Sequence, residues 1–87
     1  MTHRQIQTLR FVSEWIQEHG FSPSLQEIAK GLGSKSVSTV HGLVEALQNR
    51  GLVTRLYGMS RSLEVTEKGR LAVQQIEAKN WPAVVNL

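Results

Sequence analysis

Residues 22–53, SPSLQEIAKGLGSKSVSTVHGLVEALQNRGLV, constrain this chain more than any other stretch. After Pro23, Ser24 and Glu27 have the spacing of a capping box, in which hydroxyl and carboxylate satisfy orphan N–H groups at a helix start. The helix so opened is short. Leu25, Ile28, Ala29 and Leu32 make its inward face, and Gly31 or Gly33 ends it. Gly33-Ser34-Lys35 is a turn, and Ser36 is placed to cap a further helix over 37–50. That helix buries Val40, Leu43, Val44 and Leu47, and Gly51 stops it. Two helices joined by so tight a turn suit an element that enters a groove of DNA.

The flanking sequence completes a small domain. A first helix is expected over 3–19, with Thr2 and Gln5 as another capping box and Ile6, Leu9, Val12 and Ile16 as an apolar stripe flanked by Phe11 and Trp15. Gly20 closes it in the left-handed conformation. Beyond Gly51 the period changes. Residues 52–56 have strand character, 57–60 form a turn and 62–65 return as the paired strand. Thr66 caps a fourth helix over 67–79, with Leu71, Val73 and Ile76 as its apolar residues; Gly69 in its first turn counts against it. The expected fold is mainly α with a small β-hairpin: a winged helix-turn-helix in residues 1–65, made of a three-helix unit plus wing. An additional C-terminal helix and tail, residues 66–87, either packs on that domain or dimerises.

Size and composition narrow the function. Eighty-seven residues bury only roughly 60% of the surface their unfolded chain exposes, which leaves no room for a large enclosed active site. Cysteine is absent, excluding a disulfide framework, a thiolate nucleophile and cysteine-ligated zinc. His3, His19 and His41 lack metal-ligand spacing, and no nucleophile with an orienting carboxylate accompanies His41. No cofactor and no catalytic activity are expected. With no stretch near the ~20 apolar residues of a membrane span and no signal-peptide layout, the expected location is the cytoplasm. The net charge of +3 is concentrated in residues 34–61, where Lys35, Arg50, Arg55 and Arg61 face Glu45 alone. One-sided positive charge is the footprint of a phosphate-binding surface.

The residues that could read DNA cluster in the same segment. On the third helix, the face opposite the core carries Ser38, His41, Gly42 and Glu45, with Ser36 and Thr39 at its N-terminal end. Hydroxyls can donate to or accept from base edges, and a threonine methyl can meet that of thymine. Taken singly, Ser36 reads equally as a cap, and Ser38 and Thr39 as ordinary surface residues. Gly42 shifts the balance, because glycine inside a helix costs roughly 1 kcal/mol relative to alanine and an exposed position offers no core reason for it. A surface that a DNA backbone or base edge approaches closely supplies one. On the hairpin, Arg55, Tyr57, Ser60 and Arg61 face phosphates, with Arg61 at the tip suited to a narrow minor groove; the plainer reading is a solvated hairpin whose charges discourage edge pairing. Lys35 in the turn joins them.

These residues carry a family resemblance. FSPSLQEIAKGLG, SVSTVHGLVEAL and NRGLV, followed by the wing GMSRSLEV, resemble the N-terminal winged helix-turn-helix domain of LexA-type repressors over some three-quarters of the chain. STVHG resembles the recognition-helix version of one branch, which reads a GAAC-containing palindrome. The resemblance implies DNA contacts at Ser36, Ser38, Thr39, His41 and Gly42. LexA-type repressors continue into a dimerising, self-cleaving domain, which these residues do not include, so self-cleavage is not carried over. In its place, the TEKGR opening of residues 66–87 resembles the final helix of other small winged-helix regulators.

The expectation is a sequence-specific double-stranded DNA-binding protein, a small repressor-like transcriptional regulator. A homodimer through residues 66–87 would draw on Leu71, Val73, Ile76, Trp81, Val84, Val85 and Leu87. The alternative is a winged-helix protein-interaction module, for example a small inhibitor encoded by a mobile element.

Overall fold

A computed structural model describes residues 1–78. Three helices form the centre: α1 (His3–His19), α2 (Leu25–Leu32) and α3 (Val37–Asn49). A two-stranded antiparallel hairpin follows, β1 (Val53–Thr54) and β2 (Glu64–Val65), and then α4 (Glu67–Ala78). Both expected capping boxes form. Thr2 and Gln5 exchange side-chain and backbone bonds at the start of α1, and Ser24 and Glu27 do the same for α2.

The helix ends explain why the turn of the helix-turn-helix is so short. Gly33 takes φ +71, and Ser34 N–H donates to the Ala29 carbonyl at 2.8 Å. The end of α3 repeats the motif: Gly51 at φ +74 lets the Gly51 and Leu52 N–H groups donate to the Gln48 and Leu47 carbonyls at 2.9 and 3.0 Å. Such closures satisfy the last carbonyls and turn the chain sharply. Basic side chains reinforce both ends. Arg4 donates to the Leu32 carbonyl and Lys68 to the Arg50 carbonyl, where the helix dipole favours positive charge.

One core joins every element. Leu9 and Val12 of α1, Ile28 and Ala29 of α2, and Val40, Val44 and Leu47 of α3 are buried together with Leu52, Val53, Leu63 and Val73. Leu43, expected on the buried face of α3, is only partly buried, as are Ile6 and Ile16 of the α1 stripe, and Leu71 of α4 is exposed. Trp81, Val84, Val85 and Leu87, and the expected helix end at 79, lie outside the described residues.

The wing departs most from expectation. Its ladder is two residues per strand, with Val53 opposite Val65 and Thr54 opposite Glu64, rather than 52–56 against 62–65. The hydroxyl of Ser62 accepts from Leu56 N–H at 3.0 Å and donates to the Met59 carbonyl at 2.9 Å. Residues 56–62 therefore close as a loop around one side chain instead of extending the ladder. Gly58 and Arg61 both adopt positive φ, +74 and +53, which extended strands cannot accommodate.

Three helical glycines are distinguished by their surroundings. A Cβ on Gly31 would meet the Phe11 ring, and one on Gly69 would meet the Leu52 backbone. A Cβ on Gly42 would meet nothing within 4 Å.

Candidate nucleic-acid interface

The outer face of α3 is built by helical periodicity. With Val40, Val44 and Leu47 buried, Ser38, Thr39, His41, Gly42 and Glu45 are all exposed. Ser36 is half-buried, and its hydroxyl accepts from Thr39 N–H at 3.3 Å. Its hydroxyl is thus the α3 cap, the plainer of its two readings, and it draws the Thr39 backbone into the first turn. Ser38, Thr39 and His41 keep their side chains outward around the open space above Gly42.

Lys35 is exposed in the turn before α3, and Arg55 is half-buried where β1 leaves the domain. Neither forms an ion pair among the described residues, so both charges are available to a phosphate. Between the wing and the starts of α2 and α3 lies a cleft of about 330 Å³, whose walls include Val37, Arg55, Met59, Ser60 and Arg61. Arg55, Ser60 and Arg61 of the wing are thereby gathered beside the first turn of α3. Tyr57 is fully exposed, and Leu56 and Met59 are more than half exposed.

Arg61 does not stand as a free cation at the wing tip. Its guanidinium makes a two-pronged pair with Glu27 of α2, Nη1 to Oε1 at 2.8 Å and Nη2 to Oε2 at 2.9 Å. It also donates to the Ser22 carbonyl at 3.3 Å. Arg61 makes these bonds from a backbone at φ +53. The hydrogen bonds from Arg61 and then from the Ser24 backbone hold the Glu27 carboxyl below its ordinary value of 4.5. Since the folded chain binds that proton less readily than the unfolded one, the pair stabilises fully above that range and fades as pH falls through the lowered value.

Sequence reasoning missed Glu27 and Ser22 as partners of the wing. Ser22 is buried, and its hydroxyl accepts from Leu63 N–H at 3.1 Å. A small hydroxyl before Pro23 was the available signal. Among the described residues, no three His, Asp or Glu side chains gather in a way that could hold a metal ion. No helix there is long and apolar enough to cross a membrane.

Comparison with known proteins agrees with this geometry. The model of the LexA DNA-binding domain matches residues 1–62. A LexA repressor from Koribacter versatilis is 42% identical over 72 residues, 82% of this chain and 34% of that protein. One from Lactobacillus johnsonii is 37% identical over 82 residues, 94% of this chain and 39% of that protein. The chain thus spans a little over a third of the length of these relatives. Among solved structures, a MarR family protein from Bacillus stearothermophilus aligns with TM-score 0.71 at 25% identity, covering 91% of this chain and 53% of that one. The S. aureus MepR–DNA complex aligns with TM-score 0.74 at 23% identity, over 91% and 56%, and shows the shared winged-helix fold. The chain belongs to the LexA DNA-binding domain family and has its winged-helix fold.

Proposed function

We propose that the chain binds double-stranded DNA sequence-specifically as a small transcriptional regulator of repressor type, with α3 in the major groove and the wing along the adjacent backbone. The observation that carries this reading is the α3 face itself, three hydrogen-bonding side chains around a glycine that nothing inside the molecule requires. Ser38, Thr39 and His41 supply base-edge contacts, and Gly42 admits the duplex closely. Lys35, Arg55 and Ser60 bind phosphates and set the register, while Ser36 contributes through its cap. The LexA repressor relatives and the DNA-bound MepR neighbour support the same partner. Residues 1–65 form the reading unit. In this reading residues 66–87 carry the dimer contact, with Leu71, exposed on α4, offered to a second copy, as a palindromic target would require. Such a regulator works in the cytoplasm.

Alanine at Gly42 tests this. An added methyl has open space, so Gly42→Ala raises the unfolding free energy by about 1 kcal/mol. Binding to the preferred duplex weakens by roughly tenfold, because the methyl stands where the DNA approaches. Chemical denaturation and fluorescence anisotropy read the two effects. A variant that is stabilised and binds undiminished would remove α3 from the interface.

The exposed Leu56, Tyr57 and Met59 favour a second reading, a protein-interaction module that uses the wing. No measurable affinity for any duplex at low salt would select it, since phosphate contacts alone give micromolar binding there.

A further inference from the structure

The return arm of the wing is fastened to the first turn of α2 and the loop before it through Arg61 and Leu63. Arg61 pairs through both prongs with Glu27, donates to the Ser22 carbonyl and lies 5.4 Å over the Phe21 ring. Phe21 is held in place by edge contacts to Trp15 and His19, with ring centroids 6.3 and 5.7 Å apart. Two residues beyond Arg61, Leu63 N–H donates to the Ser22 hydroxyl.

Isolated surface ion pairs contribute little, but two-pronged geometry is the exception. The backbone gives the second reason. Arg61 is the one non-glycine residue with positive φ among those described, a conformation that persists only where its surroundings over-determine it. A phosphate contact on a mobile wing requires no such strain, whereas a fixed angle between the wing and α2 does. Glu27 completes the link, because its Oε1 also accepts from Ser24 N–H at 2.9 Å as part of the α2 capping box. One carboxylate therefore joins the start of α2 to the return arm of the wing.

We propose that Glu27 and Arg61, with Phe21 and Ser22, form a clamp that fixes the wing against the helix-turn-helix, so that Arg61 positions the wing's DNA-facing side chains and does not itself bind DNA. The affinity consequence rests on the DNA-binding reading above; the clamp itself does not. Glu27→Gln is the selective probe, since glutamine at this position keeps the capping box and removes the charge that holds Arg61. Far-ultraviolet circular dichroism stays as in wild type, and the melting temperature falls by only a few degrees, at about 4–8 °C per kcal/mol. Leu63 amide exchange, normalised to its intrinsic rate, accelerates by about tenfold as the wing loosens. Affinity for the preferred duplex drops by about fivefold. Arg61→Lys, which keeps the charge and loses the fork, behaves in the same way.

The contrary outcome is distinct. If Glu27 merely competes with phosphate for Arg61, Glu27→Gln binds DNA more tightly and Arg61→Lys binds as wild type does, and the clamp is overturned. Unchanged Leu63 exchange in Glu27→Gln overturns it equally. If the wild-type protein binds no duplex, the DNA-binding reading fails, while Leu63 exchange still decides the clamp.

Discussion

Alanine at position 69 lowers the unfolding free energy by about 2 kcal/mol, although alanine is the better helix former. The cause is where α4 begins. Thr66 N–H donates to the Leu52 carbonyl at 3.1 Å, the Thr66 hydroxyl donates to the Gly51 carbonyl at 2.6 Å, and Gly69 N–H donates to the Thr66 hydroxyl at 3.0 Å. These bonds pull the first turn of α4 onto the chain just leaving α3. A methyl on Gly69 drives into the Leu52 carbonyl and comes within 2.9 Å of Val65 Cγ1.

Backbone cannot swing aside as the end of a side chain can, so relief means breaking the bonds that seat α4. Overpacking of this kind costs about 1–3 kcal/mol and occasionally more, and the helix-propensity gain of at most about 1 kcal/mol offsets only part of it. The melting temperature falls by roughly 10 °C. For a domain with about 4–13 kcal/mol in total, at ~0.05–0.15 kcal/mol per residue, that is a large share. Because Leu52 links α3 to the wing, the proposed DNA-binding reading predicts that duplex affinity falls with it. A melting temperature at or above wild type would show that α4 does not bear on this junction.

Ser38→Ala combined with His41→Ala reduces preference for the target duplex over a scrambled one by roughly 100-fold. Both side chains are exposed and carry no side-chain hydrogen bond among the described residues, so the melting temperature barely moves. Each good base contact is worth about 1–3 kcal/mol of discrimination, and losing two removes much of what separates specific from non-specific binding. Affinity for the scrambled duplex and its salt slope stay as in wild type, since Lys35 and Arg55 are untouched. Competition anisotropy across a salt series measures all three quantities. A double variant with intact preference would assign recognition to another surface.

What was legible in the chain follows from the range of each interaction. Thr2 with Gln5 and Ser24 with Glu27 act within one turn, so spacing alone locates the starts of α1 and α2. Gly20, Gly33 and Gly51 end helices for equally local reasons, and the period of Val40, Val44 and Leu47 assigns the outer face of α3. The wing was less legible because Ser62, six residues from Leu56, decides where its ladder stops. Glu27 and Arg61 lie 34 residues apart, and the capping box already accounted locally for Glu27, leaving no unexplained charge to point at the wing. By propensity Gly69 is a flaw in a helix, but the Leu52 carbonyl beneath it leaves no room for a side chain. Tertiary contact supplies the reason that propensity lacks.

Recognition by the outer face of α3 is tested most directly by selecting bound duplexes from a random pool with wild-type protein and with the Ser38→Ala, His41→Ala variant in parallel. The wild type should enrich one defined motif, and a palindromic arrangement of it would mark binding as a pair of copies. The variant should enrich a shorter or degenerate motif at unchanged yield of bound DNA. A wild-type pool that remains random after repeated rounds, or a variant that enriches the same motif as wild type, would contradict sequence reading by this helix.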